Sequence, residues 1–582
     1  MRVSYLPTAV SVIESLPIFS PLSSIEKQYI AAKGQLVEFA KGESLYEEQN
    51  PPDYFHCVVN GRIELYHPAT RKPKQQRLSI ETLRRGDYFG LISSLTGQSH
   101  TVSARALNDS LVLRITRRHF NALLHTVPRL AVYVSHALSR RLSQRPHKTV
   151  FQSTIIATYG TDDDQDASLY AERLAGSLKQ ESLKKVLIIP STSIPRVRDV
   201  SSTLSSFTGS FHYIIVIVSP VLTDVNFEIL RQSDTCHIIS PSDRGSLRKV
   251  AALVRRLEHS FGQNARQTVS VIVKEDCFYP MTSYADKCGF LQRDIFASLP
   301  VHKEGYDKVT RRIAREVSGA MVGLVLGSGA AMGLAHIGVL KVLEKEKIPI
   351  DIVAATSMGA LIAALWAAGF SANKIEEIAS GLRSKLRVLF LIDPTLPVRG
   401  LMKGRAVRKI LLAYLGRKTF YDTRLPLRIV ACNIEKRTEF IIDRGNLVDA
   451  VMASISIPGI FEPVEFRGKV QLVDGGVVNP VPVSVLSKMG IRKIIAVNTL
   501  PSPADIVRIP PKRLTIYDVI ANSFQAMEYT IALNSCQQAD VNIHPIPELA
   551  DWYEFYKAQS FIKAGQEHTR RLLPRIRALV RR

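Results

Sequence analysis

The 582-residue sequence predicts a multidomain fold in which an all-β segment with helical flanks is followed by two α/β segments. Three observations predict it. Short stretches of alternating polarity recur over residues 18–118, apolar strands alternate with helical stretches over 149–300, and the same alternation returns after Met321. At about 100–200 residues per domain, the length also calls for several domains.

Composition and charge limit the class of protein. Hydrophobic residues make up 46% and charged residues 22% of the chain, which is typical of globular proteins and excludes a mostly disordered or collagen-like chain. The six cysteines form no CxxC pair, so we expect neither a disulfide framework nor a metal site. The formal net charge of +24 favours an anionic partner, either nucleic acid or an acidic membrane surface.

Two apolar segments bear on targeting. The N-terminus contains Pro7 and Glu14 where a signal peptide has an uninterrupted apolar core, so no signal peptide is predicted. Residues 352–370 carry no formal charge over nineteen positions, which is the length of a membrane span. Because this segment contains Ser357 and Gly359, we interpret it as a buried strand feeding a buried helix and predict no transmembrane helix. We expect a cytoplasmic protein.

The all-β segment is assigned to residues 18–142. Its strands are predicted at QLVEFA, YFHCVV, RIELYH and SLVLRI, and the pair Asn60-Gly61 predicts a hairpin between two of them. A helical pattern then runs from His119 to Leu142, and a basic polar stretch places a boundary near residue 147.

The middle segment, 149–300, predicts a Rossmann-like, doubly wound parallel sheet. Apolar stretches such as TIIATYG, KVLIIPS and YIIVIVS alternate with helical ones. The first strand-to-helix turn contains no GxxxxGK[ST] motif and places Asp162, Asp163 and Asp164 where a phosphate would dock. Since carboxylates repel a bound phosphate, we expect a structural domain without nucleotide-binding function.

A glycine-rich turn opens the chemistry of the C-terminal segment. The strand Val322–Leu326 runs into GSGAAMG at 327–333 and then into a helix. Such a turn directs several backbone N–H groups at one point, which binds a phosphate or a developing oxyanion. By itself the motif is also compatible with a dinucleotide fingerprint or with tight packing alone.

The next strand favours nucleophilic catalysis. It ends in Ala355-Thr356-Ser357-Met358-Gly359, a nucleophile elbow with Ala355 in place of the first glycine. A dinucleotide site would instead require an acidic residue at the end of this strand, whereas Asp351 lies at its beginning. We predict Ser357 as the nucleophile and Gly359 as the elbow glycine that lets strand and helix approach.

A serine nucleophile needs a base, and Asp474 is the predicted one. It ends the strand 470–473 and precedes Gly475 and Gly476, which leave its carboxylate free to approach another turn. No later histidine occupies a comparable strand end. His336 lies inside a helix on a small apolar surface, and we interpret it as a packed core histidine.

The motifs GSGAAMG, ATSMG and DGG, with PGIFEPV before the aspartate, resemble those of the patatin-like phospholipases over roughly residues 320–500. This resemblance implies an α/β/α hydrolase domain with a Ser–Asp dyad formed by Ser357 and Asp474. It also implies an oxyanion hole built from backbone N–H groups of Gly327, Ser328, Gly329 and Ala330, with the N–H of Met358 as a further donor. The family usually has an arginine where Met332 stands and a glycine where Ala355 stands. No cofactor is expected.

Residues 18–142 resemble cyclic nucleotide-binding domains, which are β-rolls with flanking helices. The phosphate cassette corresponds to residues 86–95, with Gly90, and is followed by His100 and Thr101. Leu91 stands where the family has its ribose-binding glutamate, and His100 where it has its phosphate-binding arginine. Leucine accepts no hydrogen bond and histidine cannot form a bidentate fork, so we expect no tight binding of a cyclic nucleotide.

The order of the three segments resembles the neuropathy target esterase class of lysophospholipases. This resemblance implies deacylation of phospholipids or lysophospholipids, with residues 501–582 completing the hydrolase domain. The membrane-spanning anchor of the animal members is not found, which fits a bacterial-type soluble form. The alternative is a catalytically weak lipid or nucleotide sensor that retains the fold. Nucleic acid is not expected as a partner, because no zinc finger or aromatic RNA motif occurs.

Basic and apolar residues together predict contact with an anionic membrane. Between Arg383 and Lys418 there are ten basic residues and one acid, Asp393, with apolar residues interleaved, and the C-terminal tail from Arg570 is similarly basic. Such segments suit the surface of an anionic bilayer, so we expect a peripheral protein at the inner face of the membrane. A solvated basic face is the alternative.

Overall fold

A computed structural model gives the fold of most of the chain. It describes residues 12–13, 16–19, 22–67, 78–127, 129–132, 134–135, 153–162, 164–261, 269–274, 291, 296–300, 303–381, 393, 400–468, 470–502, 516–545 and 554–581. The chain forms two compact units, Met1–Thr282 with Asp286–Ala314 and Ser283–Ala285 with Arg315–Arg582. The boundary predicted near residue 147 falls inside the first unit. Within this unit, side chains of the β-sheet domain contact the middle domain directly.

The N-terminal domain consists of two antiparallel four-stranded sheets with helices before, within and after them. Its strands are β1 (Gly34–Phe39), β2 (Ser44–Tyr46), β3 (Tyr54–Asn60), β4 (Arg62–His67), β5 (Leu78–Arg84), β6 (Tyr88–Phe89), β7 (Ser103–Ala106) and β8 (Ser110–Thr116). Its helices are α1 (Ser24–Lys33), α2 (Leu91–Thr96) and α3 (Arg117–Thr126). The sheet orders are β1-β8-β3-β6 and β2-β7-β4-β5.

The hairpin predicted at Asn60-Gly61 is wrong, although the turn exists. Gly61 has a φ of 88°, but β3 and β4 belong to different sheets and do not pair with each other. The N–H of Arg62 donates instead to the side chains of Asn108 and Ser110, at 2.7 and 3.2 Å. The chain therefore crosses from one sheet to the other at this turn.

The middle domain is an all-parallel six-stranded sheet with the order β10-β11-β9-β12-β13-β14. Its strands are β9 (Thr154–Gly160), β10 (Val186–Pro190), β11 (Tyr213–Val218), β12 (Thr235–Pro241), β13 (Val269–Lys274) and β14 (Ala297–Leu299). The helices are α4 (Asp164–Ser182), α5 (Val200–Phe207), α6 (Asp224–Gln232) and α7 (Arg244–Phe261), and α8 (Lys303–Ser318) follows the sheet. The alternation of apolar strands and helices predicted a parallel sheet in this segment.

A partly buried ion pair joins the β-sheet domain to the middle domain within the first unit. Arg62, which is 3% exposed, donates two hydrogen bonds to the carboxylate of Asp234, at 2.8 and 2.7 Å. Asp234 also accepts the backbone N–H of Ile155, and Arg62 donates to the carbonyl of Ser153. Lys41 adds hydrogen bonds to two carbonyls of the middle domain. The two terminal nitrogens of Arg62 and the Asp234 carboxylate therefore compensate each other, whereas the buried Nε of Arg62 has no hydrogen-bond partner among the described residues.

The C-terminal unit is built on an eight-stranded mixed sheet with the order β19-β20-β17-β16-β15-β21-β22, with β18 paired to β17. Its strands are β15 (Val322–Leu326), β16 (Ile352–Thr356), β17 (Leu427–Asn433), β18 (Thr438–Ile442), β19 (Val464–Phe466), β20 (Val470–Asp474), β21 (Lys493–Val497) and β22 (Val541–Ile543). Its helices are α9 (Ala335–Lys345), α10 (Met358–Ala367), α11 (Ala372–Ser380), α12 (Arg405–Leu415), α13 (Leu447–Ser454), α14 (Val483–Lys488), α15 (Ile516–Cys536) and α16 (Ala558–Arg581).

The apolar segment 352–370 is not a membrane span but the centre of this sheet. It forms the fully buried strand β16, a turn at Ser357 and the helix α10. A parallel strand covered on both faces is apolar at every position, which explains its hydropathy. None of the helices within the described ranges has the length and hydropathy of a bilayer-spanning segment.

Residues beyond 500 complete the same layers. Strand β22 pairs in parallel with β21, and helix α16 packs on α9. The two helices approach so closely that a Cβ on Gly338 would lie 1.9 Å from the carbonyl oxygen of Ile562, and one on Gly565 would lie 2.1 Å from that of Ala335. Glycine at both positions is therefore what allows α16 to dock.

Candidate active site

Ser357 occupies the turn between β16 and α10. Its backbone has φ 53° and ψ −124°, a strained conformation for a residue with a side chain. The close approach of the two elements requires Gly359, since a Cβ there would lie 2.2 Å from the carbonyl oxygen of Leu326. The local structure therefore has the geometry of a nucleophile elbow.

The sheet order brings Asp474 next to this turn. Asp474 ends β20, which pairs with β17, and β17 is the neighbour of β16. The hydroxyl of Ser357 donates a hydrogen bond of 2.6 Å to Oδ2 of Asp474, and the N–H of Gly476 donates one of 2.7 Å to Oδ1. Both carboxylate oxygens are thus fixed, one toward the serine and one toward the following turn.

Burial tunes the carboxylate of Asp474. The side chain is 3% exposed, and this desolvation raises its pKa from 3.8 to about 7, although the hydrogen bonds from Ser357 and Gly476 act in the opposite direction. A base with a pKa near neutrality is well matched to taking up and returning a proton at neutral pH.

His336 lies outside the hydrogen-bonded pair of Ser357 and Asp474. Its Nε2 is 2.8 Å from the carbonyl oxygen of Gly327, the ring is fully buried, and burial lowers its pKa to about 4. The ring therefore stays neutral and holds the glycine turn in place, as expected of a packed core histidine.

The glycine turn offers fewer free donors than its sequence suggests. The N–H of Gly327 donates to Val497 O at 3.0 Å and that of Ser328 to Pro480 O at 2.8 Å. The prediction that these two amides belong to the oxyanion hole is wrong, because the neighbouring strand and the 480–482 segment already occupy them.

Three of the predicted donors remain available. Among the described residues, the N–H groups of Gly329, Ala330 and Met358 donate to no protein group. Gly329 and Ala330 begin the short helical turn Ala330–Leu334 and Met358 begins α10, where first-turn amides have no partner within the helix. The hydroxyl of Ser328 is also buried without a hydrogen-bond partner and lines the cavity beside Ser357.

Residues distant in sequence hold the elbow in position. The N–H of Ser357 donates to Oγ of Ser454 at 2.9 Å, and Ser454 in turn donates to Val430 O. Thr356 donates its hydroxyl to Asn479 O at 2.8 Å. The sequence contained no signal for Ser454 or Asn479, because each acts through a contact that only the fold creates.

A cavity of about 290 Å³ opens above Ser357 and Asp474. Its walls are mostly apolar, and the polar groups are concentrated around the serine. The apolar lining consists of Met332, Leu401, Ile457, Pro458, Ile460, Val477, Leu500, Pro501 and Phe524. Such a cavity suits a substrate with a hydrocarbon portion and one reactive polar group.

The two departures from the family pattern are both buried. Met332 is 3% exposed and lines the cavity, so the wall is apolar where the family usually has an arginine. Ala355 is fully buried in the core beneath the elbow. The sheet therefore accommodates the additional methyl group of Ala355.

Glu528 is a cavity residue that the sequence analysis missed. It extends from α15 into the cavity that contains Ser357 and Asp474. Burial, followed by the nearby charge of Asp474, raises its pKa to about 8. A signal was present in the sequence, since 516–536 contains no lysine or arginine and only two acids, Asp518 and Glu528. An isolated carboxylate in an apolar helix is costly unless it has a function or a partner.

The nucleotide cassette of the N-terminal domain is filled by its own side chains. Leu91 is 2% exposed in the core, and His100 is 4% exposed and stacked on Tyr46 with ring centroids 3.7 Å apart. His56 stacks on Phe89 close to Gly90. Burial lowers the pKa of both histidines, that of His56 to about 3 with further contributions from His100 and Arg114, while Asp53 acts in the opposite direction on His100. Thr101 is exposed.

The first turn of the middle domain is occupied by an acidic network. Oγ of Ser246 and Nζ of Lys249, both on α7, donate to the carboxylate of Asp162. This carboxylate lies beyond the carboxyl ends of β9 and β12, at the point where the strand order reverses. Nucleotide phosphates bind at that point in doubly wound sheets, whereas here the Asp162 carboxylate and its two donors lie there.

Comparisons with known proteins match both ends of the chain. Residues 324–487 match the family model of patatin-like phospholipases, and residues 36–127 match that of the cyclic nucleotide-binding domain. The chain joins a cyclic nucleotide-binding domain to a patatin-like phospholipase domain. The resemblance to these two kinds of domain, stated from the motifs, is thereby confirmed.

Relatives extend this similarity over most of the chain. An uncharacterized NTE family protein of Mycobacterium tuberculosis is 25% identical over 82% of this chain and 78% of the relative. The neuropathy target esterase sws of Drosophila melanogaster is 24% identical over 78% of this chain and 35% of the relative. The mouse patatin-like phospholipase domain-containing protein 7 is 24% identical over 79% of this chain and 38% of the relative. The chain therefore spans little more than a third of the length of these two animal proteins.

Proposed function

We propose that this protein is a serine esterase that hydrolyses acyl esters of phospholipids or lysophospholipids with a Ser357–Asp474 dyad. The observation that carries the proposal is the 2.6 Å hydrogen bond from Ser357 Oγ to Asp474 Oδ2 at the floor of an apolar cavity. The strained backbone of Ser357 and the free amides of Gly329, Ala330 and Met358 support it.

The reaction proceeds through an acyl-enzyme. Ser357 Oγ attacks the ester carbonyl carbon and its proton passes to Asp474, while free backbone N–H groups of the glycine turn and of Met358 stabilise the oxyanion. The tetrahedral intermediate collapses, the C–O bond to the alcohol breaks, and Asp474 returns its proton to the leaving oxygen. A water then attacks the acyl-enzyme, giving its proton to Asp474, and collapse releases the fatty acid and restores the Ser357 hydroxyl.

Covalent labelling tests this proposal. A fluorophosphonate probe should label the wild type and not Ser357→Ala, and lipid hydrolysis followed by mass spectrometry should show loss of product with the same variant. Ser487→Ala, a change at an exposed serine of the same unit, serves as the control. Hydrolysis by folded Ser357→Ala would refute the dyad, and a wild type that neither labels nor hydrolyses would favour the lipid or nucleotide sensor.

We also propose that the enzyme reaches its substrate by peripheral contact with an anionic membrane through α12. One stripe of this helix exposes Arg405, Arg408, Lys409 and Leu412, while Leu411 faces the core. Leu401, just before the helix, is 45% exposed and also lines the cavity. A basic and apolar surface at the mouth of the cavity suits an anionic bilayer.

Part of the predicted basic segment, 382–392 and 394–399, lies outside the described residues, so the support comes from α12. Sedimentation with phosphatidylglycerol-containing vesicles tests it. Changing Arg405, Arg408 and Lys409 together to Glu should reduce binding, and high salt should weaken wild-type binding.

A matched control places the same charge change elsewhere. Lys345, Lys488 and Arg492, exposed basic residues outside α12, are changed together to Glu. Lys488 lies 3.9 Å from Glu439, and Arg408 is paired with Asp449. Each triple variant therefore loses one ion pair. Equal losses in the two variants, or binding that ignores lipid charge, would refute a specific role of α12.

A further inference from the structure

The carboxyl groups of Glu528 and Asp474 approach each other across Gly476. A Cβ built on Gly476 would lie 2.1 Å from Oε1 of Glu528 and 3.2 Å from Oδ1 of Asp474. The two oxygens are therefore separated by no more than the sum of these distances. Two carboxyl groups this close resist carrying a negative charge at the same time.

No nearby cation relieves this repulsion among the described residues. Helix α15 packs against the turn Gly475–Val477, which has no ionisable side chain, and against α14, whose single charged residue, Lys488, lies beside Glu439. The ionisable group that faces Asp474 from β17 is the Cys432 thiol, and its pKa is raised by burial and by Asp474. Within the described residues, Glu528 forms no ion pair and accepts no hydrogen bond.

The hydrogen bonds decide which carboxyl group keeps a proton. Asp474 accepts hydrogen bonds from Ser357 and Gly476, both of which favour its charged form. Glu528 has no such support and lies against an apolar wall that includes Phe524. The first proton to leave this pair therefore comes from Asp474, in agreement with pKa values of about 7 for Asp474 and about 8 for Glu528.

We propose that Glu528 is a positioning residue of the dyad. When Glu528 is neutral, Asp474 is the single negative charge beside Ser357. When Glu528 is ionised, its charge opposes the oxyanion. The inference rests on the proposed esterase function. Attack by Ser357 places a negative charge on the substrate oxygen, and hydrolysis leaves a carboxylate product. A second fixed negative charge on the cavity wall raises the energy of both.

The pH profile of kcat/KM for a soluble short-chain ester tests this inference without the membrane. Wild type should show a bell, with an acid limb near pH 7 from Asp474 and an alkaline limb near pH 8 from Glu528. Glu528→Gln should keep the acid limb and lose the alkaline one. At pH 9, one unit above the limb, the variant should retain roughly sevenfold more of its maximal activity than the wild type.

Two further variants show that the carboxyl group itself is responsible. Glu528→Asp should restore an alkaline limb, whereas Glu435→Gln, a change at an exposed acid of the same unit, should leave both limbs in place. An alkaline limb that persists in folded Glu528→Gln would overturn the inference.

A readout independent of activity separates the inference from the proposed function. Because burial holds the pKa of Glu528 above its ordinary 4.5, ionising it at pH 9 weakens the fold, and Glu528→Gln removes that cost. The variant should therefore require more urea to unfold than wild type at pH 9, with no such gain at pH 4. If wild type proves inactive, the esterase proposal fails, but the difference in urea stability at pH 9 still reports the neutral carboxyl group of Glu528. If that difference in stability is absent, the inference is overturned.

Discussion

Replacing Asp474 with asparagine should abolish hydrolysis and at the same time stabilise the protein above neutral pH. The amide fits the site, because its oxygen can accept the Gly476 N–H and its NH₂ can donate to Ser357 Oγ. It cannot accept the serine proton, so turnover is lost. It also carries no charge, so the cost of burying the carboxylate disappears.

The magnitude follows from the pKa of Asp474. Burial raises it from 3.8 to about 7, and each pH unit of difference corresponds to 1.36 kcal/mol, so the ionised carboxylate costs the fold roughly 4 kcal/mol above neutrality. The folded carboxyl has the higher pKa, so this stability is present below pH 4 and is lost as the pH rises toward 7. The variant should keep it at all pH values.

Urea unfolding of wild type and Asp474→Asn at pH 4 and pH 8 measures this difference. The variants should coincide at pH 4, and the asparagine variant should be more stable at pH 8, by up to roughly 4 kcal/mol. Asp443→Asn, a change outside the cavity beside Arg444, should alter stability by less than about 0.5 kcal/mol. An Asp474→Asn protein that is no more stable than wild type at pH 8 would refute the argument.

Three further changes test the fold around the site. Arg62→Ala should destabilise the first unit by about 1–3 kcal/mol in urea unfolding, because the partly exposed Asp234 carboxylate loses both hydrogen bonds from Arg62 and keeps that from the Ile155 N–H. An unchanged midpoint would contradict this. The double change Leu91→Glu with His100→Arg should lower the melting temperature, since both side chains are buried in packed positions. Calorimetry should detect no sub-micromolar binding of cyclic AMP to this variant, and tight binding would show that the cassette can open. Gly338→Ala should lower the free energy of unfolding by about 1–3 kcal/mol or more, because the alanine Cβ meets the α16 backbone. An unchanged free energy of unfolding would mean that α16 can shift.

Hydrophobic periodicity predicted the strands well and their pairing partners poorly. The strands β15 and β16 are buried at every position, and the continuous apolar stretches 322–326 and 352–355 predict this arrangement in a parallel sheet. The Asn60-Gly61 turn also exists, but its strands pair with distant ones. A turn motif reports local backbone geometry, whereas the pairing partner depends on strands elsewhere in the chain.

The contact between Ser357 and Asp474 could be predicted because both residues have local signatures. Ser357 and Asp474 are 117 residues apart, yet Ser357 directly follows a strand and Asp474 ends one, and each belongs to or adjoins a tight turn. The strand register brings them together, because Asp474 of the antiparallel strand β20 lies opposite Ala431 of β17, and the preceding residue of β17, Val430, lies opposite Thr356. Glu528 ends no strand and belongs to no motif, so only its isolation in an apolar helix distinguished it.

The glycine turn 327–333 shows why a motif predicts more free backbone donors than the fold leaves. GSGAAMG offers a series of backbone N–H groups, but the amides of Gly327 and Ser328 are bonded to Val497 and Pro480, which lie more than 150 residues further along the chain. Every buried amide must find a partner, so the amides left for substrate are those that the surrounding strands do not reach. The free amides of Gly329, Ala330 and Met358 sit at the first turns of helices, where no partner exists within the helix. A catalytic loop is thus defined as much by the neighbours that occupy its other amides as by its own glycines.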